Sequence, residues 1–496
     1  MNGVAMNRVI VGGDVLDIMT VAMYAEPLVI YRELVQNAAD AIERAIGANL
    51  IGEADGRIEI ELETSNRTIV VRDNGYGLPN DDFEAQMLAV GASAKRGGNL
   101  RGFRGIGRLA GVGHFKEIAF RSRSAGDERV MEVRWDSLFV QSALTSETVS
   151  SLESVITGAT TFRQYNATDE PGHFFEVKLV GARRLPDDRL FSAFRIAQYL
   201  SQVAPIGFAP DFSQGAKIRA EMERRTALLE VSLFVSGKPV YKPYCDSVAI
   251  KRDRVSIIKS VEFVEVPSGD QGLSAFGWIA HTDYQGAFNQ ESLVRGLRVR
   301  TGNMQIGGDT ILSCVFPEER FNSWAIGEFH VFDGRIRPNA RRDAFEPGIA
   351  VDDLHNKLAP YGAAIARQCR LESRRRNVTK KARLLREQAA ALENVLRGRR
   401  GELVASARAA LAGELTTSIR SLQELEDDLN ESAKHDLRQA DVTARKMLAN
   451  GRRRKASRLN PRSRGQLDII LWLFQAGKID LIEPALRSVK AIENER

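Results

Sequence analysis

The chain has 496 residues, and 70 Lys and Arg against 64 Asp and Glu leave a net charge of only +6, too even for the whole chain to read as a nucleic-acid coat. Its length suggests about three domains with ample core. Three widely spaced cysteines (Cys245, Cys314, Cys369) without CxxC or zinc-like His spacing, no secretory leader pattern and no apolar run near the roughly 18 residues of a membrane span point to a reducing, cytoplasmic setting with no membrane contact.

The first informative stretch is Glu33-Leu-Val-Gln-Asn37-Ala-Ala-Asp40. Polar residues at i, i+4 and i+7 stack a carboxylate, an amide and a second carboxylate on one helix face. A carboxylate can orient and deprotonate a water, and an amide oxygen can hold Mg²⁺ beside phosphates. Leu34, Val35, Ala38, Ala39, Ala41 and Ile42 fill the rest of the wheel, so the same pattern also describes an amphipathic helix with a solvated polar face.

Next, Arg57–Glu63 sets Ile58, Ile60 and Leu62 against charged neighbours, and Thr68–Val71 is a second β-rich run; both read as strands. The second leads into Asp73-Asn-Gly75-Tyr-Gly77. A carboxylate at a strand end can accept a hydrogen bond from the exocyclic amine of a flat base, and glycines let the backbone approach that base closely. Asn74-Gly75 is equally a hairpin turn signal, but Asp81–Val90 reads as a helix and leaves no partner strand.

A glycine-rich loop follows. Gly91-Ala-Ser93-Ala-Lys95-Arg-Gly-Gly98 leads into Arg101-Gly102-Phe-Arg104-Gly105-Ile106-Gly107-Arg108 and on to Gly113. Such a loop can turn backbone N–H groups toward phosphate oxygens, with a helix N-terminus adding its dipole, or it can be a plain surface loop. It is not a Walker A loop, because no Gly-Lys-Ser/Thr closes it, and no strand of Rossmann type immediately precedes it.

In this order, the Glu33/Asn37 helix, the Asp73-x-Gly75-x-Gly77 strand end and Gly102-x-x-Gly105-x-Gly107 resemble the GHKL (Bergerat) ATPases, nearest in pattern to the ninety-kilodalton heat-shock chaperones, with the MORC branch close by. Val15–Tyr24 and Ile30–Leu34 look like the chaperone entry helices. The resemblance implies ATP and Mg²⁺ as ligands. It makes Glu33 the general base, Asn37 the Mg²⁺ ligand, Asp73 the reader of the adenine amine and Gly77 a neighbour of the ring. Asp40 would support the adenine or the Mg²⁺ water shell. Gly75, Ser93, Lys95, Gly102, Gly105, Ile106, Gly107 and Arg108 complete the implied nucleotide contacts. Glu33 favours hydrolysis over phosphotransfer, since histidine kinases lack that residue. Where the family's closing strand begins Gly-Thr, this chain has Gly172-His173; Thr160 and Thr161 are alternative sources of the hydroxyl.

Strand-like runs then recur at Leu229–Val235, Val261–Val266, Ala275–Ala280, Leu297–Arg300 and Trp324–Phe332. They resemble the chaperone's middle, or transducer, domain with its ribosomal-S5-like β-α-β core. Matched on Asn339, Arg342 corresponds to the family's γ-phosphate arginine, with Arg341 beside it; a surface Arg pair next to Asp343 is the alternative. From about Arg370 the chain is rich in Ala, Leu, Glu and Arg. Leu385, Leu392, Leu396 and Leu403, then Leu415, Ile419, Leu422 and Leu429, space at three, four or seven, which predicts long helices in a hairpin or coiled coil. Residues 451–464 are basic without one acid, either a polyphosphate contact or a solvated linker.

The expected fold is therefore α+β: a GHKL α/β sandwich over 1–212, an S5-like middle domain over 213–369 and a helical region over 370–496. The expected function is an ATP-gated, chaperone-like clamp, a homodimer with a protein client. A DNA-acting clamp of the MORC or MutL kind, or a nucleotide-sensing scaffold with little turnover, are the alternatives.

Overall fold

The computed structural model describes residues 26–89, 111–145, 152–168, 170–251, 254–269, 272–451 and 459–487. The chain forms two compact units, Met1–Ala366 and Arg367–Arg496. The fold is α+β, and the second unit is helical.

Helix α1 (Val29–Gly47) opens the described part of the first unit. After it come strands β1 (Arg57–Glu63) and β2 (Thr68–Asp73), helix α2 (Asn80–Leu88), and strands β3 (Glu117–Arg123) and β4 (Arg129–Asp136). Helices α3 (Ser137–Thr145) and α4 (Leu152–Ala159), strands β5 (Thr160–Asn166) and β6 (Phe174–Val180), and helices α5 (Ala193–Val203) and α6 (Gly215–Glu223) follow. With β7 (Ser232–Val235) and β8 (Lys238–Val240), the strands make one eight-stranded sheet in the order β5-β4-β3-β6-β2-β1-β7-β8.

Period-two alternation explains its two faces. Ile58, Ile60, Ile69, Val71, Ile118, Phe120, Val177 and Leu179 form one core with Tyr31, Leu34, Val35, Ala38 and Ile42 of α1. On the other face, directly opposed residues carry charge: Arg72 pairs with Glu176 at 3.0 Å, and Glu176 pairs onward with Arg121 at 2.7 Å. Such cross-strand pairs hold register on a face turned away from the core.

The strand expected within Leu229–Val235 as part of the middle domain belongs to this first sheet instead. Ser232–Val235 pairs parallel with β1 in the register Arg57↔Ser232 to Ile60↔Val235. Leu233 and Val235 are buried there, on the side that Ile58 and Ile60 already make apolar.

A second sheet follows a short β9 (Ser247–Lys251) and β10 (Arg254–Ile257) pair. It contains β11 (Ser260–Pro267), β12 (Leu273–His281), β13 (Gly296–Thr301), β14 (Met304–Ile306) and β15 (Ile326–Val331), in the order β11-β12-β15-β13-β14. β15 runs parallel to β13, and the described crossover between β14 and β15 consists of two 3₁₀ turns rather than an α-helix. Asn322 pins that crossover: its amide oxygen accepts from Leu297 N–H at 3.1 Å and its amide nitrogen donates to the Asp309 carbonyl.

The joint between the sheets is polar and dry. Glu328 is fully buried, bonded to Arg300 at 2.6 Å and Lys242 at 2.9 Å. Arg300 also donates to the carbonyls of Gln202 (2.7 Å), Ala204 (3.1 Å) and Asn303 (3.0 Å). The two cations hold the Glu328 carboxyl well below its usual range against the opposing effect of burial.

Helix α7 (Ile349–Leu396) leads into α8 (Glu402–Gln423), α9 (Glu431–Gly451), α10 (Pro461–Gln475) and the short α11 (Ile482–Arg487). Leu392, Leu396, Leu415, Ile419 and Leu422 share one core with Leu437, Ala440, Ala444, Ile470 and Phe474. Asn460 caps α10, its side chain accepting from Ser463 N–H at 2.8 Å, with Pro461 following in the first helical position. Among the described residues, no helix is long and apolar enough to cross a membrane.

Replacing Glu328 with Gln strands two buried cations. A loss of about 3–5 kcal/mol in urea unfolding is expected. An unchanged midpoint would mean that the network does not hold the joint.

Candidate functional site

Helix α1 is buried on nearly every side, which removes the reading of a solvated polar face. Glu33 and Asn37 are half-buried and Asp40 is fully covered. Gln36, three residues after Glu33 and next to Asn37, is fully buried, and among the described residues neither its amide nitrogen nor its oxygen has a hydrogen-bond partner. It lies about 60° around the wheel from Glu33. A buried amide in that condition calls for a water or a ligand. Sequence reading passed over Gln36 because it sits among the apolar filler of the wheel.

The alternation of β2 puts Asp73 on the same face as Ile69 and Val71, so its carboxylate points to the interior. Its Oδ1 accepts from Gly75 N–H at 2.8 Å. Burial pushes the Asp73 carboxyl up to about 8, with N–H donation from Gly75 and Phe175 pulling the other way.

No hairpin forms after Asp73. Asn74 turns back, accepting from Arg57 N–H at 2.8 Å and donating to the Asp55 carbonyl at 2.8 Å. Tyr76 N–H donates to the Ala41 carbonyl at 2.9 Å, which fastens the loop to α1. Both glycines are steric requirements. A Cβ on Gly75 would lie 2.6 Å from that of Ala41, and Gly77, at φ +71°, would place one 2.1 Å from the Arg123 carbonyl oxygen.

His173 meets this loop from the bend just before β6, its Nδ1 2.8 Å from the Gly75 carbonyl oxygen. Thr160 and Thr161 do not reach it. They lie on β5, four strand spacings from β2, or roughly 19 Å. Ser93, Lys95, Gly102, Gly105, Ile106, Gly107 and Arg108 lie outside the described residues.

From the second sheet's side, Arg342 Nε lies 3.6 Å from Glu33 Oε1, with the two side chains 11% and 14% exposed. Arg342 thus stands beside Glu33 in this structure. A tight turn brings it there: Arg342 has φ +58°, its N–H donates to the Asn339 carbonyl at 3.1 Å, and Asn339 Nδ2 donates to Asp343 at 2.6 Å. Arg341 is exposed. The surface Arg pair is thus split, one member in the site and one in solvent. Arg32, next to Glu33, is buried and donates to the Gln305 carbonyl of β14 at 2.8 Å. Sequence reading had no signal for that contact across 273 positions.

The family profile described as histidine kinase-, DNA gyrase B- and HSP90-like ATPase matches residues 27–161, the stretch that carries Glu33, Asn37 and Asp73. Residues 27–161 thus carry a GHKL-type ATPase domain. Among its relatives, the chaperone protein HtpG of Geobacter metallireducens is 26% identical over 143 residues, covering 25% of this chain and 22% of that protein. HtpG of Colwellia psychrerythraea is 30% identical over 142 residues, with the same coverage of 25% and 22%. HtpG of Frankia casuarinae is 36% identical over 90 residues, covering 17% and 13%. The match to these relatives thus spans about a fifth of their length or less.

Buried Asp73 carries a pH signature. The native Asp73 carboxyl keeps its proton where the unfolded chain, near pH 4, has released it. Its contribution to stability is therefore full below about pH 4 and is lost as pH rises toward 8. A ligand amine donating to this group favours its ionised form. Affinity for ADP should then strengthen by up to about tenfold per pH unit between about pH 6 and 8. Calorimetric titration of wild type beside Asp73→Asn, whose profile should be flat, checks this. Parallel profiles would exclude the contact.

Proposed function

We propose that this chain is a Mg²⁺-dependent ATP hydrolase working as a chaperone-like conformational clamp. The observation that carries this reading is the meeting of Glu33 and Arg342: a carboxylate from α1 and a guanidinium delivered by the second sheet side converge on one face of the helix that also bears Asn37.

In this reading Glu33 orients the attacking water and takes its proton. Arg342 faces the charge that develops on the γ-phosphate, which favours the transition state over the bound substrate. Asp73 accepts from the adenine amine, while Gly75 and Gly77 keep the loop close. Asp40 and Gln36 order water around the phosphates, and Ser93, Lys95, Gly102, Gly105, Ile106, Gly107 and Arg108 cover them. The donor set suits a hard cation held mainly by phosphate. Among the described residues no cluster of three His, Cys, Asp or Glu could hold a metal alone, and Asn37 supplies the amide oxygen. Bound Mg²⁺ would neutralise phosphate charge.

Because Arg342 and Glu33 come from opposite sides of the first unit's joint, closing on nucleotide would be felt in both sheets. That supports a clamp; homodimerisation of the ATPase domains and a protein client are the partners this reading implies, and the HtpG relatives are named as chaperone proteins. The free cysteines Cys245, Cys314 and Cys369 agree with a reducing cytoplasm. The middle segment acts as the transducer that carries Arg342.

Glu33→Ala should bind ATP within about threefold of wild type and abolish turnover, whereas Arg342→Ala should slow turnover roughly 10³–10⁵-fold. Asp73→Asn should weaken binding itself. Steady-state phosphate release and calorimetry separate these. Equal loss of binding in Glu33→Ala and Asp73→Asn would overturn the assignment of roles. Running the turnover assay with duplex DNA at two salt concentrations adds a second discrimination. Indifference to DNA is expected of a protein-directed clamp, and stimulation that fades with salt would move the reading to a DNA-acting one.

A further inference from the structure

We infer that Gln36 is a positioning residue, which relays the place of strand β14 through Arg32 to the Glu33 carboxylate. This rests on the hydrolase reading above and goes further, since it names what orients the base and what the second sheet does to it.

Two buried side chains of α1 carry unpaired polar atoms. Arg32 is 5% exposed; its Nη2 donates to the Gln305 carbonyl of β14 at 2.8 Å, but its Nε has no acceptor among the described residues. Gln36 is 0% exposed, and neither its Nε2 nor its Oε1 is bonded. Between them in sequence, Glu33 has Oε1 3.6 Å from Arg342 Nε. Its Oε2 has no hydrogen bond among the described residues.

The unpaired groups match in kind. Arg32 Nε is a donor, Gln36 Oε1 an acceptor, Gln36 Nε2 a donor and Glu33 Oε2 an acceptor. The helix also sets them in order. Gln36 stands four residues after Arg32 and three after Glu33, the two spacings at which helical side chains meet. Its azimuth falls between theirs, about 40° from Arg32 and about 60° from Glu33. A change of rotamer at Gln36 lets Oε1 accept from Arg32 Nε while Nε2 donates to Glu33 Oε2. That one movement satisfies every group named. The second hydrogen on Nε2 is left for a water.

A base works in one direction only if its carboxylate plane is fixed. Arg342 faces one oxygen from the turn after β15, and Gln36 takes the other on behalf of β14. Glu33 is then aligned only when two separate parts of the second sheet side are in place. A methionine at position 36 would fill similar volume and leave nothing unpaired. The amide therefore weakens the fold at rest, as expected of a group whose partners are made in the working state.

The test joins melting, binding and kinetics of the full chain. Gln36→Met should melt at or above the wild-type temperature and bind ATP within about threefold of wild type by calorimetry. Its kcat should fall about 10–100-fold, the range found for groups that orient metal ligands. Arg32→Lys keeps a charge and a donor for the Gln305 carbonyl but lacks the Nε hydrogen. Made in both backgrounds, it closes a double-mutant cycle. It should slow wild type clearly yet change the kcat of Gln36→Met by less than about twofold, because the relay is already cut. Losses that multiply would overturn the relay. So would a wild-type kcat in Gln36→Met, or a lower melting temperature with binding and turnover lost together, which marks a structural role. Wild type without ATP turnover would instead overturn the hydrolase reading itself.

Discussion

Glu328 is a carboxylate without access to water, and the joint between the two sheets exists because Arg300 and Lys242 neutralise it there. Burial of three charges is costly unless every one is hydrogen-bonded. Arg300 meets that condition by reaching out of its own sheet to the carbonyls of Gln202 and Ala204, at the end of α5. The second sheet is thereby registered against the helix that packs beside α1. Once β14 is held, the Gln305 carbonyl can accept from Arg32, and the turn at Asn339–Asp343 falls where Arg342 meets Glu33. The geometry at Glu33 is thus downstream of an ion network that contains none of the site residues.

Three carboxylates near the site live in different environments, which is how one chemical group serves several roles. Asp73 is dry, accepts from backbone N–H groups, and holds its proton up to about pH 8 until a donor arrives. Glu33 is mostly covered but keeps some access to solvent, and a guanidinium stands beside it. Asp40 is buried two turns along the same helix. One strand end and one helix face suffice to separate them, because alternation turns Asp73 inward and the helical repeat stacks Glu33, Asn37 and Asp40.

Much of this was legible in the residues. Arg57–Glu63 alternates so cleanly that its strand bounds match to the residue. The leucine spacing of the C-terminal region predicted its core, because helices of that length must bury their apolar seam. Where reading stopped, pairing was tertiary. Ser232–Val235 was legible as a strand, but nothing local says that its partner is β1, 175 positions earlier by the Arg57↔Ser232 register. Arg32 and Gln36 look like ordinary members of a helix wheel until burial removes their water. His173 was visible only as the wrong residue where a threonine was expected. Its bond is to a carbonyl 98 positions away.

The helical unit constrains the choice between a polyanion and a protein as partner. Several of its described arginines pair with acids of the same unit: Arg375 with Glu372 at 3.0 Å, Arg383 with Glu387 at 2.9 Å, Arg386 with Asp436 at 2.8 Å and Arg399 with Glu483 at 2.5 Å. The exposed pairs contribute little stability, but each places a counter-charge beside the cation and weakens its attraction for phosphate. Meanwhile Ile469 and Trp472, three apart on α10, are more than half exposed on a helix whose other face is core. An exposed aromatic beside an aliphatic residue suits a partner with apolar surface better than it suits a phosphate backbone. The described surface of this unit thus sets exposed apolar side chains beside cations that already have counter-charges.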